Sequence, residues 1–430
     1  MTENKSRKWF RLDNASKIFP PNSKGRDTNV FRFACELTTE IDPKILQIAL
    51  DHTLEQFPFY RSILRRGVFW MYFEQSNYAA IVHEENTPVC NRLFDPNVKS
   101  LLFDVSYYGN RINLEVFHAL SDGAGALHFL RHLVWEYIVE KYQYNRDTIE
   151  HLQYDASYSQ KSEDSFSRHY RPGIQGGEKE KRIPAFQEKH PFMSLSRMQI
   201  IEAHMSVNEC LITAKSHNVS LTEYLSAILL LSYNQNMSWK ERKHPVVLAV
   251  PVNLRNFFRS QTARNFFALT YIRYKFENEN EDIATVLESV KKQFKTNVTL
   301  EHLSQRIQKL VRLEYNPFIR GIPLFIKNPV LRIGNYWVQK ESTTTLSNLG
   351  KIEMPAFCSD KIRNFVAFIS SEKTQLTICS YMDKLTLCFS TSFSDVEIQK
   401  DFFRRLAGDG LHISITTSNH EIKDRGGVLT

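Results

Sequence analysis

A histidine, an aspartate and a glycine lie close together in the segment His118-Ala119-Leu120-Ser121-Asp122-Gly123. A histidine can be neutral at pH 7 and accept a proton, so His118 suits the role of a general base. Asp122 is ionised at that pH and, if buried, requires a cation or several N–H donors. Gly123 allows a tight backbone turn. These residue types therefore suit base catalysis on a tight turn.

The elements around this segment are predicted by its periodicity. Apolar residues alternate at Ile112, Leu114 and Val116, which predicts a half-buried strand. A helical period follows, and we expect a helix from about Ala124 to Lys141. His118 would thus end a strand just before a helix, where a rigid scaffold can aim a side chain while its tip stays open.

The pattern H-x-x-x-D-G resembles the signature of the chloramphenicol acetyltransferase-like superfamily. This superfamily includes alcohol O-acyltransferases, polyketide-associated acyltransferases, plant BAHD acyltransferases and condensation domains of non-ribosomal peptide synthetases. The resemblance implies that His118 is the general base and that Asp122 is structural and pairs with a distant arginine. Condensation domains have two adjacent histidines, and Phe117 replaces the first of them here, which weakens the peptide-condensation interpretation.

The partner of Asp122 is expected in the segment Val250-Pro251-Val252-Asn253-Leu254-Arg255, which resembles the part of the second lobe where relatives carry that arginine. A buried carboxylate is costly unless it is paired, and arginine can donate two N–H bonds to it. Arg255 is the predicted partner, with Arg259 and Arg264 as competitors. Arg259 is also a candidate for binding the phosphates of the donor.

Four further site residues are expected from the same resemblance. Asn265 precedes a strand beside the active site, and Asn253 and Asn265 are candidate substrate-binding residues that could equally join strands through amide hydrogen bonds. Ser347-Asn348-Leu349-Gly350 resembles the S-N-x-G stretch of alcohol acyltransferases. A hydroxyl or N–H group there, with Ser347 as the catalytic candidate and Asn348 as a substrate-binding one, could stabilise an oxyanion.

Composition indicates a globular protein. The chain has 430 residues, of which 42% are hydrophobic and 24% charged, and it lacks a run of 18 apolar residues. The first residues, MTENKSRKWFRLDN, lack the apolar core of a signal peptide, so we expect a cytoplasmic protein without a membrane span.

The formal charge of +8 raises the question of an anionic partner. The basic residues are interleaved with acidic ones and form no nucleic-acid motif, so we expect no nucleic acid. The excess favours an anionic substrate such as coenzyme A or an acidic acyl carrier protein, although a merely solubilising surface explains it equally well.

Metal and redox sites are not expected. The six cysteines include no C-x-x-C pair. His128 and His132 stand four residues apart on one helix, but Phe129 replaces the glutamate of the H-E-x-x-H motif, and we interpret them as ordinary helix residues. We therefore expect neither a bound metal nor a bound cofactor, with acyl-coenzyme A acting as co-substrate.

The resemblance implies an α/β fold (an α+β sandwich) of two chloramphenicol acetyltransferase-like lobes, with mixed sheets, helices, and an active site and tunnel at their junction. Residues 1–150 would form the N-terminal lobe with the motif, 151–190 a linker rich in Ser, Lys and Glu, and 191–430 the C-terminal lobe. We expect a monomer. In the second half, one helical stretch is predicted from Glu281 to about Glu314 and four strands between 343 and 393.

Three functions remain open from the sequence. The first is an acyltransferase that moves an acyl group, with acetyl favoured, from a coenzyme A thioester to a hydroxyl acceptor without an acyl-enzyme. The second is a stand-alone condensation-type enzyme that forms an amide or ester from carrier-bound substrates. The third is a non-catalytic binding protein of the same fold, which the retention of His118, Asp122 and Gly123 disfavours.

Overall fold

The computed structural model describes residues 8–152, 157–171, 183–194 and 197–417. Its strands are β1 (Trp9–Arg11), β2 (Val30–Leu37), β3 (Ser62–Arg66), β4 (Met71–Gln75), β5 (His83–Glu84), β6 (Phe103–Tyr108), β7 (Arg111–Phe117), β8 (Gln199–Ser206), β9 (Val246–Asn253), β10 (Phe267–Tyr274), β11 (Thr344–Ile352), β12 (Ile362–Ile369), β13 (Gln375–Tyr381), β14 (Lys384–Thr391) and β15 (Ser414–Thr417).

The helices are α1 (Phe19–Asn22), α2 (Pro43–Gln56), α3 (Gly123–Lys141), α4 (Tyr158–Lys161), α5 (Ser165–Arg168), α6 (Val207–Ser216), α7 (Leu221–Gln235), α8 (Ile283–Asn297), α9 (Leu300–Tyr315), α10 (Pro317–Gly321), α11 (Leu324–Gln339) and α12 (Glu397–Gly408). Several begin at side-chain caps. Asp42 caps α2 ahead of Pro43, and Ser220 and Glu223 form a capping box on α7.

Among the described residues the strands form three sheets. The first-lobe sheet has the order β12-β2-β7-β6-β5, and the second-lobe sheet has the order β10-β9-β11-β13-β14-β8-β15. A small sheet, β1-β4-β3, stands apart. β11 runs parallel to β9 and β13, and β5 runs parallel to β6, so the two larger sheets are mixed. The predicted α/β fold with mixed sheets is confirmed.

Each large sheet has its own hydrophobic core. Phe33, Leu114 and Phe129 belong to the first core, and Leu229 and Leu387 belong to the second. The strand β7, which leads to His118, lies inside its sheet between β2 and β6, as a strand buried on both faces should. This position holds the end of β7 firmly at the lobe junction.

One strand crosses between the lobes. β12 comes late in the chain, within the residues predicted to form the second lobe, but it pairs antiparallel with β2 in the first-lobe sheet. Behind it, the Cys379 thiol of β13 donates to the Phe365 carbonyl of β12 at 3.3 Å. The chain therefore ties the two lobes together. The predicted division at residues 150 and 190 stays a prediction.

Other sequence predictions differ from the structure in detail. The helical stretch from Glu281 to Glu314 is two helices, α8 and α9, because Val298 leaves the helical conformation and Thr299 caps the next helix. β5 is a strand of only two residues. α10 and α11 were not predicted from the sequence.

Within the described ranges, every helix is too short or too polar to cross a bilayer. All six cysteines are buried, free thiols.

Candidate active site

His118 lies directly after β7, in a tight turn ahead of α3. Its backbone N–H donates to the Asn29 carbonyl at 2.8 Å, and the Leu120 N–H returns to the Phe117 carbonyl at 2.8 Å. Asn29 has a φ of 53°, in the left-handed region, so the chain before β2 bends to receive this bond. The turn is thus fixed to the neighbouring strand before any side chain is considered.

Asp122 is the N-cap residue of α3 and is only 3% exposed. Its Oδ1 accepts from the Gly125 N–H at 2.9 Å and its Oδ2 from the Phe266 N–H at 2.7 Å. Arg255 donates to both oxygens, from Nη1 to Oδ2 at 2.9 Å and from Nη2 to Oδ1 at 3.1 Å. The predicted pair between Asp122 and Arg255 is therefore present, as a bidentate bridge between the lobes.

Arg255 has partners for the rest of its guanidinium. Its Nε donates to the Thr262 carbonyl at 2.9 Å and its Nη2 to the Arg264 carbonyl at 2.5 Å. The Asn253 Oδ1 accepts from the backbone N–H of Arg255 at 3.1 Å and from its Nη1 at 3.2 Å. Asn253 thus holds the arginine in place, and its contact with a substrate stays a prediction.

Asn265 binds His118 from the second lobe. Its Nδ2 donates to the His118 carbonyl at 2.9 Å and to the Ser16 Oγ at 3.1 Å, which orients the amide. Its Oδ1 then faces the imidazole Nδ1 of His118 at 3.1 Å. Because an amide oxygen only accepts, Nδ1 must carry the hydrogen, and in neutral His118 the lone pair lies on Nε2. Among the described residues Nε2 has no hydrogen-bond partner.

Aromatic rings surround the imidazole of His118. Phe19 stacks on it with ring centroids 4.3 Å apart, and Phe31 meets it edge to face at 5.1 Å. Phe267 of β10 approaches to 5.6 Å from the second lobe. Burial in this apolar setting lowers the pKa of His118 below its ordinary 6.5 and outweighs the opposing effect of the Asp122 charge. This lowering of the pKa favours the neutral form of the His118 imidazole at pH 7.

A second contact between the lobes at this turn was not predicted from the sequence. The Ser121 hydroxyl donates to the Ala263 carbonyl at 2.6 Å, and a Cβ on Gly125 would lie 2.1 Å from that same oxygen. Position 125 therefore requires glycine, because the Ala263 carbonyl lies too close for a side chain. The H-x-x-x-D-G motif does not indicate this requirement for glycine, because the constraint comes from a loop more than a hundred residues away.

The N-terminal arm also contributes unpredicted residues. Ser16 is fully buried, and its hydroxyl donates to the Ala119 carbonyl at 2.7 Å while it accepts from Asn265. Phe19 opens α1 and stacks on His118. A sequence search for polar motifs could have found Ser16 only as one of many serines, and it had no reason to select Phe19.

The Ser347–Gly350 segment lies on β11, next to the motif. A Cβ on Gly123 would lie 3.0 Å from the Leu349 Cδ2, so Gly123 allows this strand to approach the start of α3. Ser347 is half-buried and precedes Leu349 by two residues, which places both on one face of the strand. Asn348 turns the other way and donates to the Thr222 hydroxyl at 2.8 Å, while its Oδ1 accepts from the Gly350 N–H at 2.8 Å.

The competing arginines lie elsewhere. Arg264 is 3% exposed, donates to the Arg11 carbonyl at 2.6 Å and lies 3.4 Å from the Asp13 carboxylate. Burial raises the pKa of Asp13 to about 6. Arg259 is exposed on the loop before β10, and its role in donor binding stays a prediction.

The histidine pair of α3 lies in apolar surroundings. Burial lowers the pKa of His128 to about 3 and that of His132 to about 4. One group within the described part of the chain has metal-ligand spacing, His52 with Glu136 and Glu140. The Arg146 Nη2 lies 2.7 Å and 2.5 Å from the two carboxylates, so its guanidinium already compensates their charge.

A surface cavity of about 580 Å³ opens on the first lobe. It is lined by residues of α2, β6 and the loops around them, including Leu50, Ala79 and Val105, and by none of the residues around His118. It is therefore separate from the tunnel that the resemblance implies, which stays a prediction.

No protein-family model and no curated protein sequence matches the chain. Solved structures do. Trichothecene 15-O-acetyltransferase of Fusarium sporotrichioides has 11% identity and a TM-score of 0.59 over 93% of this chain and 94% of its own. TRI101 of F. graminearum, solved with coenzyme A and T-2 mycotoxin, has 10% identity and a TM-score of 0.62 over 93% and 97%.

The starter condensation domain of rhizomide synthetase, solved with C8-CoA, has 11% identity and a TM-score of 0.59 over 92% of this chain and 93% of its own. These three cover almost the whole chain at very low identity, so they establish its fold. The chain has the two-lobed chloramphenicol acetyltransferase-like fold.

Proposed function

We propose that the protein is an acyltransferase that moves an acyl group, with acetyl favoured, from a coenzyme A thioester to a hydroxyl acceptor. The observation that carries the proposal is the state of His118. Its Nδ1 is held by Asn265, its backbone by Asn29, and its Nε2 lone pair is left for a substrate. A neutral imidazole with one nitrogen anchored and the other open suits a general base.

In the proposed mechanism, Nε2 of His118 takes the hydroxyl proton while the acceptor oxygen attacks the thioester carbonyl. The carbon–sulfur bond then breaks, and the imidazolium returns the proton to the departing thiolate. Protons and electron pairs balance without a covalent acyl-enzyme. Two rigid lobes joined by the bridge between Asp122 and Arg255 would supply proximity and orientation.

Stabilisation of the oxyanion is assigned to β11. Ser347 shares a strand face with Leu349, and Leu349 lies against the position of Gly123 at the start of α3. A hydroxyl on that face could donate to the developing negative charge. Asn253 and Asn348 are engaged within the second lobe, so we propose for them a supporting role rather than substrate contact.

The donor is inferred from related structures and from charge. Solved neighbours of the same fold hold coenzyme A or C8-CoA. The net charge of +8 suits an anionic donor. We propose that acyl-coenzyme A enters as co-substrate, and that the protein acts as a cytoplasmic monomer.

A condensation-type reaction is the second candidate, because a condensation domain also shares the fold. In that case the acyl donor would arrive on a carrier protein, and the acceptor would be an amine or a hydroxyl. Phe117 is fully buried against Phe94, so this position is part of the core and not of the reacting surface. A non-catalytic binding protein is the third candidate.

The test is a transfer assay on the purified chain with two donors, free acetyl-coenzyme A and an acetyl-loaded carrier protein, over a panel of alcohols and amines. We expect ester formation from free acetyl-coenzyme A, with thiol release equal to ester formed. Turnover with the loaded carrier alone would replace the proposal by the condensation reaction. Saturable donor binding without turnover, across the whole panel, would favour the binding protein.

A further inference from the structure

α11 is built the opposite way from an ordinary surface helix. Leu324 and Lys327 are its buried residues, and Lys327 is a cation. Phe325, Ile333 and Trp337 are 65%, 61% and 64% exposed. Helices of globular proteins normally bury their apolar stripe against the core, so this one presents to solvent the face that should be covered.

The exposed residues form one continuous stripe. At 100° per residue, Phe325, Ile333, Trp337 and Val330 fall within about 140° of the helix circumference, and Lys327 falls outside that arc. The arc is as wide as the apolar face of an amphipathic helix. Scattered apolar residues on a surface need no explanation, but a stripe of this width marks an interaction site.

Two elements next to α11 also carry exposed apolar residues. The Leu324 N–H donates to the Val68 carbonyl at 2.8 Å, and the Lys327 ammonium donates to the Phe69 carbonyl at 3.1 Å. These bonds fix α11 to the turn between β3 and β4, where Val68 and Phe69 are exposed. Phe318 of α10 is 87% exposed. We call Phe69, Phe318, Phe325, Val330, Ile333 and Trp337 the α11 face.

Within the segment that carries most of the α11 face, residues 317–340, the charged side chains are all basic. Residues 317–340 contain Arg320, Lys327, Arg332 and Lys340 and no aspartate or glutamate. Arg320 and Arg332 are exposed, and the Lys340 ammonium lies 4.3 Å from the Tyr336 ring centroid at the end of the helix. Basic residues beside exposed Phe and Trp are the pattern of helices that lie in the interface of an anionic bilayer.

We infer that the α11 face docks the protein onto the surface of an anionic lipid bilayer. α11 is 16 residues long and would lie along the membrane plane, with its apolar stripe in the headgroup region and with Arg320, Arg332 and Lys340 at the phosphates. A second copy of this chain fits less well, because a symmetric pairing would bring Arg320, Arg332 and Lys340 towards the same residues of its mate.

The docked surface would lie next to the candidate active site. The Arg332 Nε of α11 donates to the Pro21 carbonyl of α1 at 2.9 Å. α1 begins with Phe19, whose ring stacks on His118. The inference of membrane docking does not depend on the proposed acyl transfer, since it rests on exposure and charge alone.

The test is co-sedimentation of the purified full chain with vesicles of phosphatidylcholine alone and of phosphatidylcholine with phosphatidylglycerol. We expect binding to the anionic vesicles, weakened by raised salt because the attraction is partly electrostatic. Ile333→Asp should weaken it by about tenfold or more, since a carboxylate replaces an inserted apolar group beside lipid phosphates. Arg320→Gln should weaken binding to anionic vesicles by several-fold.

The matched control is Ile212→Asp, which changes an equally exposed isoleucine on α6, outside the α11 face, and should leave vesicle binding unchanged. Light scattering of each variant runs in parallel. Absence of binding to anionic vesicles, or binding that Ile333→Asp and Ile212→Asp weaken equally, would overturn the inference. A dimer that Ile333→Asp dissociates, without vesicle binding, would also overturn it and assign the face to a second copy.

Discussion

His118 and Asp122 lie on one short turn, but they differ in how far their side chains are satisfied by hydrogen bonds. Asp122 accepts hydrogen bonds from Gly125, Phe266 and both terminal nitrogens of Arg255, so its carboxylate is saturated. The imidazole ring of His118 is anchored only through Nδ1, and its Nε2 stays open. Saturation makes a polar group architectural, because nothing remains to bind a substrate. An open nitrogen on an anchored ring remains available for chemistry.

The same contrast holds for the two asparagines that flank the loop of the second lobe. Asn253 supports Arg255, the partner of the fully hydrogen-bonded Asp122 carboxylate. Asn265 supports the imidazole of His118, whose Nε2 stays open. Experiments that remove one function without the other will show whether the division between architecture and chemistry is real.

The largest effect is expected from His118→Ala. Loss of a positioned general base should lower the transfer rate by roughly 10²–10⁴ while the melting temperature changes little. His412→Ala is the matched control, because His412 is exposed at the far end of the chain. A His118→Ala variant with unchanged turnover would remove this residue from the mechanism.

Asp122→Ala should act on stability. It leaves Arg255 as an unpaired, largely buried cation, which should cost about 3–5 kcal/mol in the free energy of unfolding. Denaturant titration measures this cost. Asp51→Ala, at an exposed position of α2, should change it by less than about 0.5 kcal/mol. Equal effects of the two substitutions would contradict the architectural role of Asp122.

Gly125→Ala should cost about 1–3 kcal/mol, because the new methyl group would overlap the backbone oxygen of Ala263. Gly334→Ala is the matched control on α11, where a methyl group meets open space and should stabilise the helix by up to about 1 kcal/mol. Thermal melts distinguish the two. If Gly125→Ala leaves the stability unchanged, the loop of the second lobe that carries Ala263 can move away.

The pH dependence of the rate tests the anchoring of His118. Its pKa is lowered by burial, so kcat/KM should fall only as the pH drops below 6.5, when the base becomes protonated. The stability contribution has the same sign: an unfolded chain binds this proton more readily, so stability falls as pH decreases through about 6.5. Asn265→Asp puts a carboxylate beside Nδ1 and should move the acid limb to higher pH. Asn253→Asp should leave the acid limb of the kcat/KM profile in place. If neither variant moves this limb, Asn265 does not control the protonation of His118.

The smallest effect is expected at Arg259. If this exposed arginine meets the phosphates of the donor, Arg259→Glu should raise the donor KM several-fold with kcat nearly unchanged, the pattern of lost uniform binding. Raised ionic strength should imitate it. Arg404→Glu on α12 is the control. A fall in kcat at constant KM would point to a different role.

Local patterns were enough to predict the elements around the site. The alternation of Ile112, Leu114 and Val116 and the helix after Gly123 depend on residues that are neighbours in the chain, so β7 and α3 agree with their predictions. The choice of Arg255 rested on the family resemblance. Nothing local distinguishes Arg255 from Arg264, and only packing shows that Arg264 lies near Asp13.

Other features arise only in the folded chain. The Asn265 amide acquires its direction from Ser16 and the His118 carbonyl, so the tautomer of the base depends on three segments far apart in sequence. The need for glycine at 125 comes from the Ala263 carbonyl. The usual rule would place the apolar stripe of α11 inward, whereas here Lys327 faces the protein. Periodicity reports that a helix has two faces, and tertiary contacts decide which face is buried.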